Sequence, residues 1–135
     1  MRILIDTSVL VDIDRGVQKT AEKLKEAVTK HTLYISIISV EEILTGANLC
    51  EKPAIKKARE LLNQFEWITI DARVAEHGAN IRSHLIRNRK KAEYPDILIA
   101  ACYLAHGCDL LVTHNLRDFA NIPGIQAIAI TSDKW

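Results

Sequence analysis

An α/β fold with a parallel central sheet and helices on both of its faces is predicted by three features of the sequence. Short apolar or β-branched runs alternate with longer segments of helical period along the whole chain, as they do where crossover helices connect parallel strands. The first run, Ile3-Leu4-Ile5, has no polar alternation, which suits a strand buried on both faces. The chain has 135 residues, 48% of them hydrophobic, enough for a single domain over 1–135 built on one core. All-helical and all-β arrangements fit this pattern poorly.

Taken in order, the first strand stops at Asp6, with Thr7 and Ser8 directly behind it. Ser8 to Asp14 reads as a short helix closed near Arg15-Gly16. Val17 to Lys30 carries Ala21, Leu24, Ala27 and Val28 at helical spacing with lysines between them. Leu33 to Ile38 is β-branched and aromatic, a second strand, and a helix opens at Ser39 and reaches about Leu49. Pro53 suits the first turn of the next helix, Ala54 to Phe65, with Ile55, Ala58, Leu61, Leu62 and Phe65 inward. Trp67 to Ile70 is a third strand. Asp71 caps a long helix to about Arg87, with Val74, Ala75, Ala79, Ile81, Leu85 and Ile86 predicted to be buried. Pro95-Asp96 opens a helix, Ile97 to Ala105, that is apolar nearly all round and so belongs inside. Leu110 to Val112 is a fourth strand, Asn115 to Phe119 one helical turn, and Ala127 to Ile130 the last strand.

A net charge of +1 gives no overall field to attract nucleic acid, so any such contact needs a local basic patch. The three cysteines, Cys50, Cys102 and Cys108, are odd in number and have no zinc-ligand pairing. No leader-like or membrane-spanning run precedes the first strand, and together these predict a reduced, cytoplasmic protein. Arg87, Arg89, Lys90 and Lys91 stand shortly before Asp96; they read either as a guide for a phosphate backbone or as a solvated helix end. Lys52, Lys56, Lys57 and Arg59 read as a solvated face. His31, His77, His84, His106 and His114 show no ligand pairing, and Trp67 and Phe119 read as core.

Four acids carry the functional signal. Asp6 follows the first strand, Glu42 lies in the first turn of the helix after the second, Asp96 opens the helix before the fourth, and Asp118 follows the fourth. Ligand chemistry in open α/β sheets sits beyond the carboxyl ends of the strands. Asp6, Glu42 and Asp118 satisfy that rule. Asp96 does so only if its helix runs back with its N-terminus at that end, which is not expected of a helix crossing to the following strand. Each acid alone also reads as a helix cap worth about 1 kcal/mol. Ser39 with Glu42 is a capping box, and Asn115 with Asp118 has cap-like spacing. Capping does not account for several acids in one cleft, where like charges raise one another's pKa unless a cation neutralises them.

The segments Ile5-Asp6-Thr7-Ser8, Glu42-Ile43-Leu44-Thr45-Gly46, Asp96-Ile97-Leu98-Ile99-Ala100-Ala101 and Thr113-His114-Asn115-Leu116-Arg117-Asp118-Phe119 resemble, in order and spacing, the motifs of PIN-domain ribonucleases. They most resemble the VapC-type toxins of toxin–antitoxin pairs. The resemblance implies a PIN-like three-layer α/β/α sandwich with a parallel sheet of four to five strands. It implies that Asp6, Glu42, Asp96 and Asp118 surround Mg²⁺ or Mn²⁺, and that the start of the Asp96 helix reaches the acidic pocket. Glu42, not Glu41, matches the family's E-[IL]-x-x-G pattern, which leaves Glu41 facing solvent. His114 stands where many relatives carry Arg, a departure that bears on RNA contacts.

Hard divalent cations select carboxylate oxygens and lower the pKa of bound water. With no Ser-His-Asp constellation and no activated Cys context in the sequence, water is the expected nucleophile, and the resemblance implies that the reaction is hydrolysis of RNA phosphodiester bonds. Asp6 and Asp96 are the expected direct ligands, Glu42 a ligand or water orienter, and Asp118 a ligand of a second ion or one acting through water. Ser8 and Thr113 would hold carboxylates in place. Thr7 is expected to pack, and Asn115 to brace its loop or cap its helix. The family implies an antitoxin partner, for which the helices Val17 to Lys30 and Ala54 to Phe65 offer docking surfaces, and a homodimer. Two other readings compete. One is a non-catalytic RNA- or protein-binding module of the same fold. The other is phosphoryl transfer through an aspartyl-phosphate on Asp6, which Ser8 disfavours by standing where a D-x-D pattern needs its second acid.

Overall fold

The computed structural model describes residues 1–135. Ile3, Leu4 and Ile5 lie in β1 (Arg2–Ile5), and all three are fully buried. Successive strand residues point to opposite faces, and each face has its own core. Ile3 and Ile5 pack in a cluster with Val9, Leu24, Ile35 and Leu62. Leu4 belongs to another, with Val74, Ile81, Ile99 and Phe119. An apolar residue is therefore needed at every position.

The other strands are β2 (Thr32–Ser36), β3 (Glu66–Ile68), β4 (Leu110–Val112) and β5 (Ala127–Ile128). All pairings are parallel, in the order β3-β2-β1-β4-β5. Ile3 sits between Leu33 and Leu110, and Leu4 between Tyr34 and Leu111. The chain winds outward from β1 to β3, then resumes on the far side of β1 with β4. The strand order thus reverses between β1 and β4, the crevice where ligands of such sheets bind. Asp6 and Thr113 are the residues that leave these two strands.

Helices α1 (Thr7–Asp14), α2 (Gln18–Lys30), α3 (Ile37–Asn48) and α4 (Lys52–Leu62) cover one face. Helices α5 (Ala72–Arg87) and α6 (Tyr94–Ala105) and the single turn α7 (Leu116–Phe119) cover the other. The result is the expected three-layer α/β/α sandwich, with five parallel strands.

Several local expectations are corrected. β2 ends at Ser36, whose Oγ accepts the Ile38 N–H at 3.1 Å and caps α3. Helix α3 therefore opens three residues before Ser39, which is fully buried. The Ser39–Glu42 capping box does not exist, and Glu42 stands in the second turn. The β-branched pair Ile37-Ile38 reads as strand but forms helix. Trp67 is not core: it is 43% exposed, and its Nε1 donates to the Leu62 carbonyl. β5 stops at Ile128. Helix α5 buries the stripe Val74, Gly78, Ile81 and Leu85, whereas Ala75, Ala79 and Ile86 face outward. Gly78 goes inward because α6 lies close: a Cβ there would sit 3.7 Å from both Ala101 and Leu98 side-chain atoms.

The direction of α6 is the one that the resemblance implies. Beyond its C-terminus, the Asp109 N–H donates to the Arg2 carbonyl at 2.8 Å, and Asp109 Oδ2 accepts the Arg2 N–H. Helix α6 thus ends at the start of β1, runs against the strands, and begins at their carboxyl end. Helix α5 pairs antiparallel with it. Arg73, near the start of α5, donates to the Ala105 carbonyl at the end of α6.

Candidate active site

Asp6 is the N-cap of α1, and 4% of it is exposed. Its Oδ2 accepts from the Ser8 hydroxyl at 2.7 Å, the Thr113 hydroxyl at 2.9 Å and, more loosely, the Ser8 N–H at 3.4 Å. Oδ1 takes none of these bonds. The side chain is anchored by one oxygen and offers the other. Ser8 Oγ also accepts the His114 N–H at 3.1 Å, and Thr113 Oγ1 accepts the Asn115 N–H at 2.9 Å. The chain leaving β4 is thereby tied to α1.

Glu42 is exposed on α3, where Thr7 Oγ1 donates to its Oε1 at 2.9 Å and lies 2.7 Å from Ser39 Oγ. Partial desolvation raises the Glu42 pKa, the Thr7 hydrogen bond opposes that rise, and Asp6 and Glu41 add to it. Asp96 sits in the first turn of α6, half-buried, and does not cap it: Glu93 holds the cap position and makes no side-chain cap bond. Burial pushes the Asp96 carboxyl up to about 7, helped by the charges of Asp6, Asp118, Glu42 and Glu93. Asp118 is exposed on α7. Asp96 thus feels the three other acids electrostatically.

None of the four acids forms an ion pair with a side chain of the protein: the two ion pairs in the chain are Lys30–Glu26 and His114–Asp12. Carboxylates and hydroxyls alone form the donor set, the hard-oxygen chemistry of Mg²⁺ and Mn²⁺. No three acid, imidazole or thiol groups close on a common point at ligand spacing. The pocket is open rather than a cage, which fits an ion that binds through one or two carboxylates and keeps its waters.

A PIN domain family model matches residues 3–125. The chain belongs to the PIN-domain family. It is 29% identical to a curated relative, Ribonuclease VapC1 of Rickettsia felis, over 98% of both chains. It is 26% identical to the tRNA(fMet)-specific endonuclease VapC of Salmonella typhimurium, over 93% of this chain and 96% of the relative. Among solved structures, a toxin–antitoxin complex from Klebsiella pneumoniae contains a chain 28% identical to this one. It superposes with a TM-score of 0.74 over 95% of this chain and 97% of that one.

In this PIN domain the remaining sequence-derived candidates divide. Lys90 and Lys91 line a cleft of about 400 Å³ that ends on Asp96 and Asp118, whereas Arg87 and Arg89 do not line it. Two cations not singled out from the sequence, Arg82 and Arg117, join the lining. Arg82 stands one helical period and more before the basic run, on the α5 face that turns to α6. Thr7 hydrogen-bonds to the site instead of merely packing. Asn115 holds the N-cap position of α7, and its carbonyl accepts the Asp118 N–H at 3.0 Å, but its side chain makes no cap bond. Glu41 faces solvent and accepts from Thr45 at 2.7 Å. Phe119 is core, as expected.

Proposed function

We propose that this protein is a Mg²⁺- or Mn²⁺-dependent endoribonuclease and the toxin of a toxin–antitoxin pair, with Asp6, Glu42, Asp96 and Asp118 as its catalytic carboxylates. The observation that carries the reading is the half-buried carboxyl of Asp96, raised to about 7 by burial and by the charges of Asp6, Asp118, Glu42 and Glu93, with no ion-pair partner of its own. Such a pocket is costly for the metal-free protein and suited to a divalent ion. The relatives' names, ribonuclease and endonuclease, support RNA as the substrate.

When bound, the ion neutralises charge on the scissile phosphate and acidifies a water for attack. Asp6 contributes Oδ1, kept in orientation by the bonds of Ser8 and Thr113 to Oδ2. Asp96 contributes a carboxylate once its proton leaves. Glu42, steadied by Thr7, orients water or completes the ligand set. Asp118, which lines the same cleft as Asp96, would act directly or through water. Arg82, Lys90, Lys91 and Arg117 line the path beside Asp96 and Asp118 and suit a phosphate backbone.

The chain acts as one domain, in the cytoplasm, where thiols such as its three free cysteines stay reduced. No helix is long and apolar enough to cross a membrane. An antitoxin docks between α2 and α4, where Ile13, Leu24, Val28, Leu61 and Phe65 line an apolar groove of about 150 Å³. A homodimer is the expected assembly. The competing reading, a binding module without turnover, draws on the open spacing of the acids.

The test is cleavage of RNA by purified protein in Mg²⁺, Mn²⁺ or EDTA, beside Asp6→Asn and Asp96→Asn. Both amides keep side-chain size. Metal-dependent cleavage lost in both folded variants supports the nuclease. Cleavage that persists in EDTA or in both variants refutes the assigned site.

A further inference from the structure

Behind Asp6 the polar contacts continue outward along α1. Asp12 lies one turn beyond Ser8, so the two side chains share a helix face. The segment leaving β4 docks on that face at three points. Thr113 Oγ1 lies 3.3 Å from Ser8 Oγ, the His114 N–H donates to Ser8 Oγ at 3.1 Å, and His114 Nε2 lies 2.7 Å from Asp12 Oδ2. Thr20 of α2, itself buried, donates to the same Asp12 oxygen at 3.3 Å. Asp12 therefore joins α1, α2 and the segment that carries Asp118.

The His114 and Asp12 side chains are 31% and 29% exposed, and a pair so wet adds little to stability. Its consequence is geometric. Residues 114–118 are all exposed, and α7 buries only Phe119. The His114 imidazole is the side chain that tethers this stretch to the body of the fold. Without it, Ser8 loses a well-seated donor and Asp118 hangs between Thr113 and Phe119.

We propose that Asp12 is a positioning residue for the carboxylate site. Through His114 it holds the 113–118 segment on α1, which seats Ser8 against Asp6 and sets where Asp118 stands. The inference rests on the metal-dependent nuclease reading.

The experiment compares wild type with Asp12→Ala, His114→Ala, the double variant and His114→Arg. It measures Mn²⁺ affinity by electron paramagnetic resonance and RNA cleavage at saturating metal, with melting temperature as the check of folding. Each alanine variant is expected to weaken Mn²⁺ binding by about tenfold, the lower end of what outer ligand supports contribute. The double variant should lose no more than either single one, because both remove the same contact. His114→Arg, whose guanidinium still reaches the Asp12 carboxylate, should recover most of the affinity. Asp14→Ala, on the same helix without a side-chain partner, should bind as wild type does. Alanine variants with wild-type affinity and cleavage would overturn the inference. So would a loss that His114→Arg fails to recover, since the imidazole would then be acting for itself. If Asp12→Ala does not fold, the pair His114→Ala and His114→Arg decides alone. A wild-type protein that binds no Mn²⁺ and cleaves no RNA would remove the nuclease reading beneath it.

Discussion

A carboxylate oxygen that accepts from two hydroxyls and a backbone N–H cannot turn, and Asp6 is held in this way. Thr113 is fully buried, so its hydroxyl has no water to fall back on. Thr113→Val keeps the shape and removes a donor to a charged group. Chemical denaturation should show a loss of about 1–3 kcal/mol in the metal-free protein, and Mn²⁺ affinity should fall with it. A stability equal to wild type would mean that the bond is not maintained in solution. Asp96 supplies a second prediction. Its carboxyl, at about 7, must lose its proton to take up a cation. The rise in melting temperature at a fixed Mn²⁺ concentration should be larger at pH 8 than at pH 6, and Asp96→Asn should abolish that difference. Asp6, Asp96 and Asp118 were legible as candidates in the sequence because each follows or opens an element, and Glu42, which stands in the second turn of α3, because of the segment that carries it. Thr7, Arg82 and Arg117 were not, because their relevance depends on which helix faces which.

Elements were placed more reliably than their boundaries. Helix α3 is the instructive case, since both Ser36 and Ser39 can cap and Ile37-Ile38 suits a strand. The structure uses Ser36, because Ser39 is needed inside, next to Thr7. Ser36→Ala should therefore cost about 1 kcal/mol as a lost cap. Ser39→Ala should instead disturb the Thr7–Glu42 contact and show itself in Mn²⁺ affinity. Helix α5 misled in another way. Period alone proposed a wide apolar stripe, but a close neighbour needs only Val74, Gly78, Ile81 and Leu85. The space at Gly78 accepts one methyl group in ordinary contact. Gly78→Ala should stabilise the protein by up to about 1 kcal/mol through helix propensity, whereas Gly78→Leu should destabilise it. Thermal melts of both variants check this.

At the scale of the molecule, the sheet was legible because uninterrupted apolar strands and alternating helices leave few alternatives. The convergence of the acids was legible only through the resemblance: α6 must finish where β4 begins and so starts at the carboxyl end, but that Asp96 then meets Asp6, Glu42 and Asp118 is a matter of packing. That convergence has a measurable cost. The carboxyl of Asp96 is raised from 3.8 to about 7, and that of Glu42 is raised as well. The folded state thus binds more protons than the unfolded one, and stability without metal should fall as pH rises from about 4 through about 7. The lowered carboxyls of Glu26 and Asp71 act in the opposite direction in more acidic solution, and the His31 imidazole, lowered by burial, opposes the fall within the same range. The measurement that tests the central claim most directly is calorimetric titration of Mn²⁺ into the purified protein at pH 8, beside Asp6→Asn and Asp96→Asn. Saturable binding that both folded variants lose is the predicted result. Binding that survives in both variants, or no binding to the wild type, would contradict the claim that these carboxylates form a metal site.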